Sequence, residues 1–333
     1  MYVKRILVTG AAGFIGFHTS LALKNYADVE LVLVDSLKPA FLSSMTSIRT
    51  EQLRKSGLSV EIVNIAKSSP SELNSLLGKV DLVIHLAASP GVRVPKGDEL
   101  TYFENNVLGF TNILNFSALL GIPLIYASSS SVYGDKGLDG PVSEASMDTY
   151  TGKGIYALAK WTNEEVSRIY YQNGYVKSVG LRFFSVYGEY GRPDMAYFSF
   201  TRKITENVPI RIFGSHKLQR DFTPIKYVID DMLSLTKIIL DGDDEILDRI
   251  FKYDGSNTLN IGTGRPVSVE TLLKTIEKKL LKNAVVEIGE FIPEESKGTW
   301  SANKKRNFFL PQRLELDFEE TIGDFVDWYR DAD

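Results

Sequence analysis

The chain has no cysteine and only three histidines, His18, His85 and His216, in 333 residues. The first absence excludes disulfides, thiolate zinc sites and a cysteine nucleophile. The histidines are scattered without ligand-like spacing, so no metal site is expected. A charge excess is missing too: 38 Lys and Arg against 42 Asp and Glu leave a net charge of −4. A general nucleic-acid binder would carry a basic excess or stripe, whereas a few placed arginines suffice to hold an anionic small molecule. No apolar run is long enough to cross a bilayer. The opening MYVKRILVTG enters a strand pattern directly, with no long apolar stretch followed by a cleavage site, and a cytoplasmic location is the expectation.

What is present is a rhythm. Apolar, β-branched runs at 5–9, 31–34, 60–63, 82–86, 124–127 and 179–183 read as strands, and the apolar stripe over 14–24 reads as a helix. Runs apolar on both faces and separated by helices predict a parallel sheet covered on both sides. The fold class expected is therefore α/β, a doubly wound parallel sheet whose ligands sit at the carboxyl ends of its strands. After about Phe184 the loops lengthen and the strands at 210–213 and 285–288 are sparser. Residues 254–257 and 262–266 read as turns. A smaller, less regular α+β domain over 185–333 is expected, closed by an amphipathic helix over 318–330.

The first strand runs into Gly10-Ala11-Ala12-Gly13-Phe14-Ile15-Gly16, and Asp35, at the end of the second, lies 19 residues beyond Gly16. A glycine triad alone is weak evidence, since glycines also serve plain turns. Between a strand and a helix, with an acidic residue at about this distance, it fits a dinucleotide fingerprint. Gly10 would make the tight turn, Gly13 would let the backbone approach a pyrophosphate, and Gly16 would let helix and strand pack closely. The phosphates would then face the helix N-terminus, where free N–H groups and the dipole favour negative charge. A carboxylate at Asp35 accepts ribose hydroxyls and repels a 2′-phosphate. Ser36 and Leu37, not a cation, follow it, with Lys38 next. NAD is favoured over NADP.

Tyr156-Ala157-Leu158-Ala159-Lys160 places Tyr and Lys four apart on one helix face. Such a pair is common by chance. Here it follows the fingerprint and the run Ser128-Ser129-Ser130-Ser131-Val132-Tyr133-Gly134 at the end of the fifth strand. The bland alternatives are a surface helix pair and a polar loop. A phenol titrates near pH 10 and is a poor base at neutrality. A nearby ammonium and a nicotinamide cation would favour the phenolate.

Together these motifs resemble the extended short-chain dehydrogenase/reductase family over nearly the whole chain. Arg182-Phe183-Phe184-Ser185-Val186-Tyr187-Gly188, Gly191-Arg192-Pro193-Asp194-Met195-Ala196, Gln219-Arg220-Asp221-Phe222-Thr223 and Asn260-Ile261-Gly262 resemble its nucleotide-sugar branch. Gly191–Ala196 and Ala87-Ala88-Ser89-Pro90-Gly91-Val92-Arg93 are most similar to UDP-glucuronate 4-epimerases. The resemblance implies a catalytic set of Ser129, Tyr156 and Lys160. It implies an NAD site of Gly10, Gly13, Phe14, Ile15, Gly16, Asp35, Ser36, Asn64, Ile65, Leu86, Ala87, Ala88, Asn105, Ser128, Tyr156, Lys160 and Phe183. Arg93, Ser129, Ser130, Ser185, Arg192, Arg220 and Glu295 would meet a UDP-sugar, Arg220 at its diphosphate and Glu295 near its ribose. It further implies that residues 1–184, with a return segment near 226–262, bind NAD, that 185–333 mainly bind the sugar nucleotide, and that the enzyme is a homodimer.

The chain departs from the family pattern in places. Asn64-Ile65 stands for the usual Asp-Ile after the third strand, residues 36–57 follow the glucuronate group loosely, and Trp300-Ser301-Ala302 replaces its usual Trp-Ala-Asp. Sibling dehydratases carry Asp-Glu, and decarboxylases commonly a Glu, where this chain has Ser130 and Ser131, which cannot do that acid/base work. UDP-glucose and UDP-N-acetylhexosamines stay open as alternative substrates. A non-catalytic NAD-binding protein on this fold is a further alternative, against which Tyr156 and Lys160 both stand.

Overall fold

The computed structural model describes residues 3–26, 28–37, 43–146, 149–243 and 245–332. Its N-terminal half alternates β1 (Lys4–Thr9), α1 (Phe14–Leu23), β2 (Val29–Asp35), α2 (Ser43–Lys55), β3 (Val60–Ile62), α3 (Pro70–Leu77), β4 (Leu82–His85), α4 (Glu99–Phe103), α5 (Gly109–Leu120), β5 (Leu124–Ser129), α6 (Gly154–Gln172) and β6 (Ser178–Phe183). The remainder comprises β7 (Ser185–Tyr187), α7 (Ala196–Thr205), β8 (Ile210–Phe213), β9 (Gln219–Arg220), β10 (Phe222–Pro224), α8 (Ile225–Leu240), α9 (Glu245–Asp254), β11 (Thr258–Ile261), β12 (Val267–Ser268), α10 (Val269–Leu280), β13 (Val286–Gly289), α11 (Lys304–Phe309) and α12 (Phe318–Ala332).

Seven strands pair in parallel in the order β3-β2-β1-β4-β5-β6-β11. The alternation along β1 explains why both faces are covered. Ile6 and Val8 pack with Phe14 and Phe17 of α1 and Val228, Met232 and Leu235 of α8. Leu7 points the other way, to Leu73 and Leu77 of α3 and Phe110 and Ile113 of α5. Each such side chain taken fully out of water contributes about 1.5–3 kcal/mol, so apolar residues on both faces hold the sheet between two helical layers. A third cluster, built on Tyr197, Phe200, Ile212, Leu272, Phe325 and Val326, is the core of the smaller C-terminal part.

Local signals set the helix ends. Ser69 caps α3 in a reciprocal pair with Glu72, with Pro70 in the first turn. Gly121 ends α5 in the left-handed conformation, φ 66°. Two differences from the sequence reading bear on the site. β5 extends two residues past Ala127, because Ser128 and Ser129 pair in register with Arg182 and Phe183 of β6. β11 lies between two turn-like stretches and is too short for its period to be legible, yet all four of its residues are buried beside β6.

Candidate active site

The carboxyl ends of β1, β2, β4, β5 and β6 open into a cavity of about 1020 Å³. Every residue that the sequence assigned to catalysis, cofactor or substrate lines it, from Gly10 to Glu295. The smaller C-terminal part closes the other wall with Phe200, Phe213, Leu218 and Val269. Among the described residues no group of three or more His, Asp or Glu side chains is placed to hold a metal ion.

Sterics dictate the glycine turn. Gly10 has φ 71°, and a Cβ there would lie 2.5 Å from the Ala87 nitrogen. A Cβ on Gly16 would lie 2.1 Å from the Gly10 carbonyl oxygen. Gly13 is the N-cap of α1 and has no side chain to cap it, so the first-turn amides are left for an anionic ligand. Asp35 closes this corner: its carboxylate accepts the Ala12 amide at 3.0 Å and the Leu37 amide at 2.9 Å. Lys38, the nearest cation in sequence, lies outside the described residues. Asn64 uses its side-chain oxygen to accept the Ala66 amide at 3.1 Å, which leaves its amide nitrogen to donate. The residues present therefore fit a dinucleotide: a cradle with no room for side chains, a free helix N-terminus and an acidic group beyond it.

The candidate acid/base residues meet where β5 ends. The side chains of Tyr156 and Ser129 both line this end of the cavity. Lys160 is buried and donates to the Ala127 carbonyl at 2.8 Å. Burial pushes the Tyr156 phenol up, opposed by the Arg192 charge and the nearby Ser129 hydroxyl. Burial pushes the Lys160 ammonium down to about 8, opposed by the Glu164 carboxylate. Asn105, in the π-helical turn Glu104–Leu108 between α4 and α5, donates to Ser89 Oγ at 2.9 Å. Such turns place side chains that a regular helix would aim elsewhere.

Several assigned groups are already engaged within the chain. The Ser128 hydroxyl donates to Glu164, although the residue still lines the cavity. Arg192 forks onto Asp194 at 3.1 and 2.5 Å. Arg93 pairs with Glu295 at 2.5 Å and lies 4.7 Å over the Phe213 ring. Arg220 donates to the Ser296 carbonyl at 2.7 Å and stands 3.9 Å from Glu295. Ser185 is held by its amide, which donates to the Asp221 carbonyl at 3.0 Å, leaving its hydroxyl at the cavity wall.

Two lining or adjoining groups escaped the sequence. Arg49 of α2 is buried, donates to the Ala12 carbonyl at 2.8 Å and reaches Tyr190 O at 2.8 Å, tying the glycine turn to the segment that carries Arg192. No signal pointed to it, because α2 carries no motif and only three large apolar residues, Met45, Ile48 and Leu53. Glu164 could have been found: it lies one helical turn beyond Lys160, on the Tyr156 face.

A doubly wound sheet with this cradle, carboxylate and Tyr/Lys pair defines a dinucleotide-dependent enzyme of the short-chain dehydrogenase/reductase type. The chain belongs to the NAD dependent epimerase/dehydratase family, whose model matches residues 6–247. It is 33% identical to an uncharacterized protein of Methanocaldococcus jannaschii, over 99% of this chain and 97% of that one. It is 34% identical to UDP-glucuronate 4-epimerase 1 of Arabidopsis thaliana, over 97% of this chain and 76% of that one. The structure superposes on UDP-glucuronic acid 4-epimerase from Bacillus cereus, solved with UDP-glucuronic acid and NAD, with a TM-score of 0.86 at 28% identity, covering 99% and 100% of the two chains.

Proposed function

We propose that this enzyme interconverts UDP-glucuronate and UDP-galacturonate by NAD-dependent 4-epimerisation through a 4-keto sugar. The observation that carries the reading is the convergence, in one cavity, of the glycine cradle with Asp35 and the Ser129, Tyr156 and Lys160 side chains. The likeness to the Bacillus cereus and Arabidopsis enzymes supports the choice of sugar.

When bound, NAD supplies the group that accepts the C4 hydride and returns it to the opposite face. Tyr156 takes the C4 hydroxyl proton, Ser129 holds the same hydroxyl, and the Lys160 charge favours the phenolate. Gly10, Gly13, Phe14, Ile15 and Gly16 would cradle the pyrophosphate, with Asp35 and Ser36 at the ribose and Asn64 and Ile65 at the adenine. Leu86, Ala87, Ala88, Asn105, Ser128 and Phe183 would wall the nicotinamide half. Arg220 would face the diphosphate and Glu295 the uridine ribose, with Arg93 and Arg192 as further anchors. On this reading residues 1–184, with a return near 226–262, hold the cofactor and 185–333 chiefly hold the sugar nucleotide.

With a uronic acid the keto intermediate is a β-keto acid, prone to lose carbon dioxide. Ser129, Ser130 and Ser185 suit the task of holding the carboxylate, since hydroxyls hydrogen-bond it without delivering a proton to C5. Their chemistry favours epimerisation over the dehydratase and decarboxylase alternatives.

We infer also a homodimer. Helices α4, α5 and α6 pack together yet leave Leu100, Leu119, Leu158 and Ile169 exposed, with Leu108 in the turn between α4 and α5, an apolar face that a second copy would cover. No helix among the described residues is long and apolar enough to cross a membrane, and a cytoplasmic site of action accompanies the reading.

The test is incubation of purified protein with a panel of UDP-sugars and separation of the C4 epimers. Interconversion of the two uronates with little UDP-pentose is expected. A higher kcat/KM on UDP-glucose or a UDP-N-acetylhexosamine would overturn the carboxylate assignment and leave a general 4-epimerase.

A further inference from the structure

We propose that Glu164 is a positioning residue of the reaction, fixing Ser128 and supporting Lys160 so that the end of β5 and the Tyr156 base keep their working arrangement. The inference rests on the reading that Tyr156 and Lys160 work together.

Two consecutive residues of β5 are each held by one residue of α6, and the next lies beside a third. Lys160 donates to the Ala127 carbonyl at 2.8 Å, the Ser128 hydroxyl donates to Glu164, and Ser129 is close enough to Tyr156 to act on its phenol. Tyr156, Lys160 and Glu164 recur every fourth residue, so they form one stripe along the helix. Without the Glu164 contact, Ser128 would have no side-chain tie to α6, and Ser129 is its neighbour.

The other side of Glu164 is gripped by Arg182, whose Nε and Nη2 donate at 2.9 and 2.7 Å. Arg182 is the register partner of Ser128 on β6. Its Nη1 donates at 2.7 Å to the Tyr133 hydroxyl, which donates at 2.7 Å to the Asn260 side-chain oxygen on β11. Glu164 and Arg182 are 3% and 2% exposed. A buried ion pair is weak evidence for stability, since well-packed apolar residues would often serve as well. What this pair supplies that apolar residues would not is a directional hold on Ser128 and a negative charge one turn from Lys160.

The charge matters because of what else faces the pair. From β4 comes His85, which burial keeps neutral. From the segment after β7 comes Arg192, and from α4 comes Tyr102, both facing Tyr156. Glu164 is the carboxylate that favours the Lys160 ammonium, against the burial that lowers it to about 8. Removing the carboxylate lowers the Lys160 midpoint further, so Lys160 loses its proton, and Tyr156 its electrostatic support, at a lower pH.

The experiment uses the enzyme with bound NAD. kcat and KM on UDP-glucuronate are measured across neutral to alkaline pH for wild type, Glu164→Gln and Glu164→Asp, and the Lys160 side chain is titrated by carbon NMR, assigned against Lys160→Met. Glu164→Gln should lower kcat about tenfold or more, leave KM within about twofold and move both the alkaline limb and the Lys160 midpoint acidward by about one pH unit, with Glu164→Asp partly restoring each. A Lys160 midpoint unmoved in Glu164→Gln overturns the proposal whatever the substrate, and so does a fall in kcat without a shift of the limb. If wild type fails to turn over UDP-glucuronate, the functional reading fails, while the NMR midpoint still decides the role of Glu164. Should Glu164→Gln not fold, the charge-balanced Glu164→Gln/Arg182→Met enzyme is used, with a smaller acidward shift expected because a cation leaves with the carboxylate, and an unmoved midpoint overturning the proposal.

Discussion

The Lys160 ammonium stands 5.9 Å from the centre of the Tyr156 ring while it donates to the Ala127 carbonyl. The phenol thus has a cation within electrostatic reach that is itself anchored to the sheet. Replacing Tyr156 by Phe removes the base and little else. Turnover should fall by about 10²–10⁴-fold with NAD still bound, as read by epimer assay and by the absorbance of cofactor released on denaturation. A Tyr156→Phe enzyme at wild-type speed would remove Tyr156 from the mechanism.

Asp35 accepts two backbone amides at the end of β2, in the corner of the cavity beside the glycine turn. Exchanging Asp35 for Ala together with Ser36 for Arg should shift preference from NAD towards NADP, because the repulsion of a 2′-phosphate is removed and a cation is added. The ratio of the two dissociation constants checks this. Wild type binding NADP as tightly as NAD would contradict the role of Asp35.

Ser185 presents its hydroxyl to the cavity with its backbone held by Asp221. Ser185→Ala should lose more activity on UDP-glucuronate than on UDP-glucose, since an unsatisfied carboxylate costs more than an unsatisfied hydroxyl, about 1–3 kcal/mol for a neutral group and more for a charged one. Parallel kcat/KM measurements on both sugars decide the matter, and equal losses would count against a uronate contact.

Gly16 leaves no space for a methyl group, the Gly10 carbonyl oxygen lying 2.1 Å from where a Cβ would be. Gly16→Ala should destabilise the fold by about 1–3 kcal/mol or more and release NAD, since helix and turn must separate. A thermal melt with and without added NAD reads both effects. An unchanged melting temperature with full cofactor retention would refute the packing argument.

His85 is buried against Thr9, its ring Nδ1 2.7 Å from the hydroxyl, and burial pushes its pKa down to about 3. The unfolded histidine titrates near 6.5. Between these values the unfolded chain binds a proton that the folded chain does not, so stability falls as pH drops from about 6.5 towards about 3, by at most about 1.4 kcal/mol per unit from this group. His85→Asn should flatten the acid side of a plot of urea midpoint against pH, and equal slopes for the two proteins would exclude His85 as the cause.

Much of the architecture was determined by local sequence. Apolar β-branched runs at 5–9, 31–34, 82–86 and 179–183 can be buried on both faces only in a covered parallel sheet, and the Gly10–Gly16 turn with Asp35 allows few local backbone paths. The four-residue spacing of Tyr156 and Lys160 placed both on one helix face without any tertiary information. Tertiary structure alone decided which partner each polar group met. Ser128 and Glu164 are 36 residues apart, Arg49 and Tyr190 are 141 apart, and Arg93 and Glu295 are 202 apart. Pairing at such separations depends on how the layers stack, which no local period encodes. The same reason hid β11: four residues between turns carry too little pattern to be a strand until the open edge of β6 supplies the hydrogen bonds that make them one.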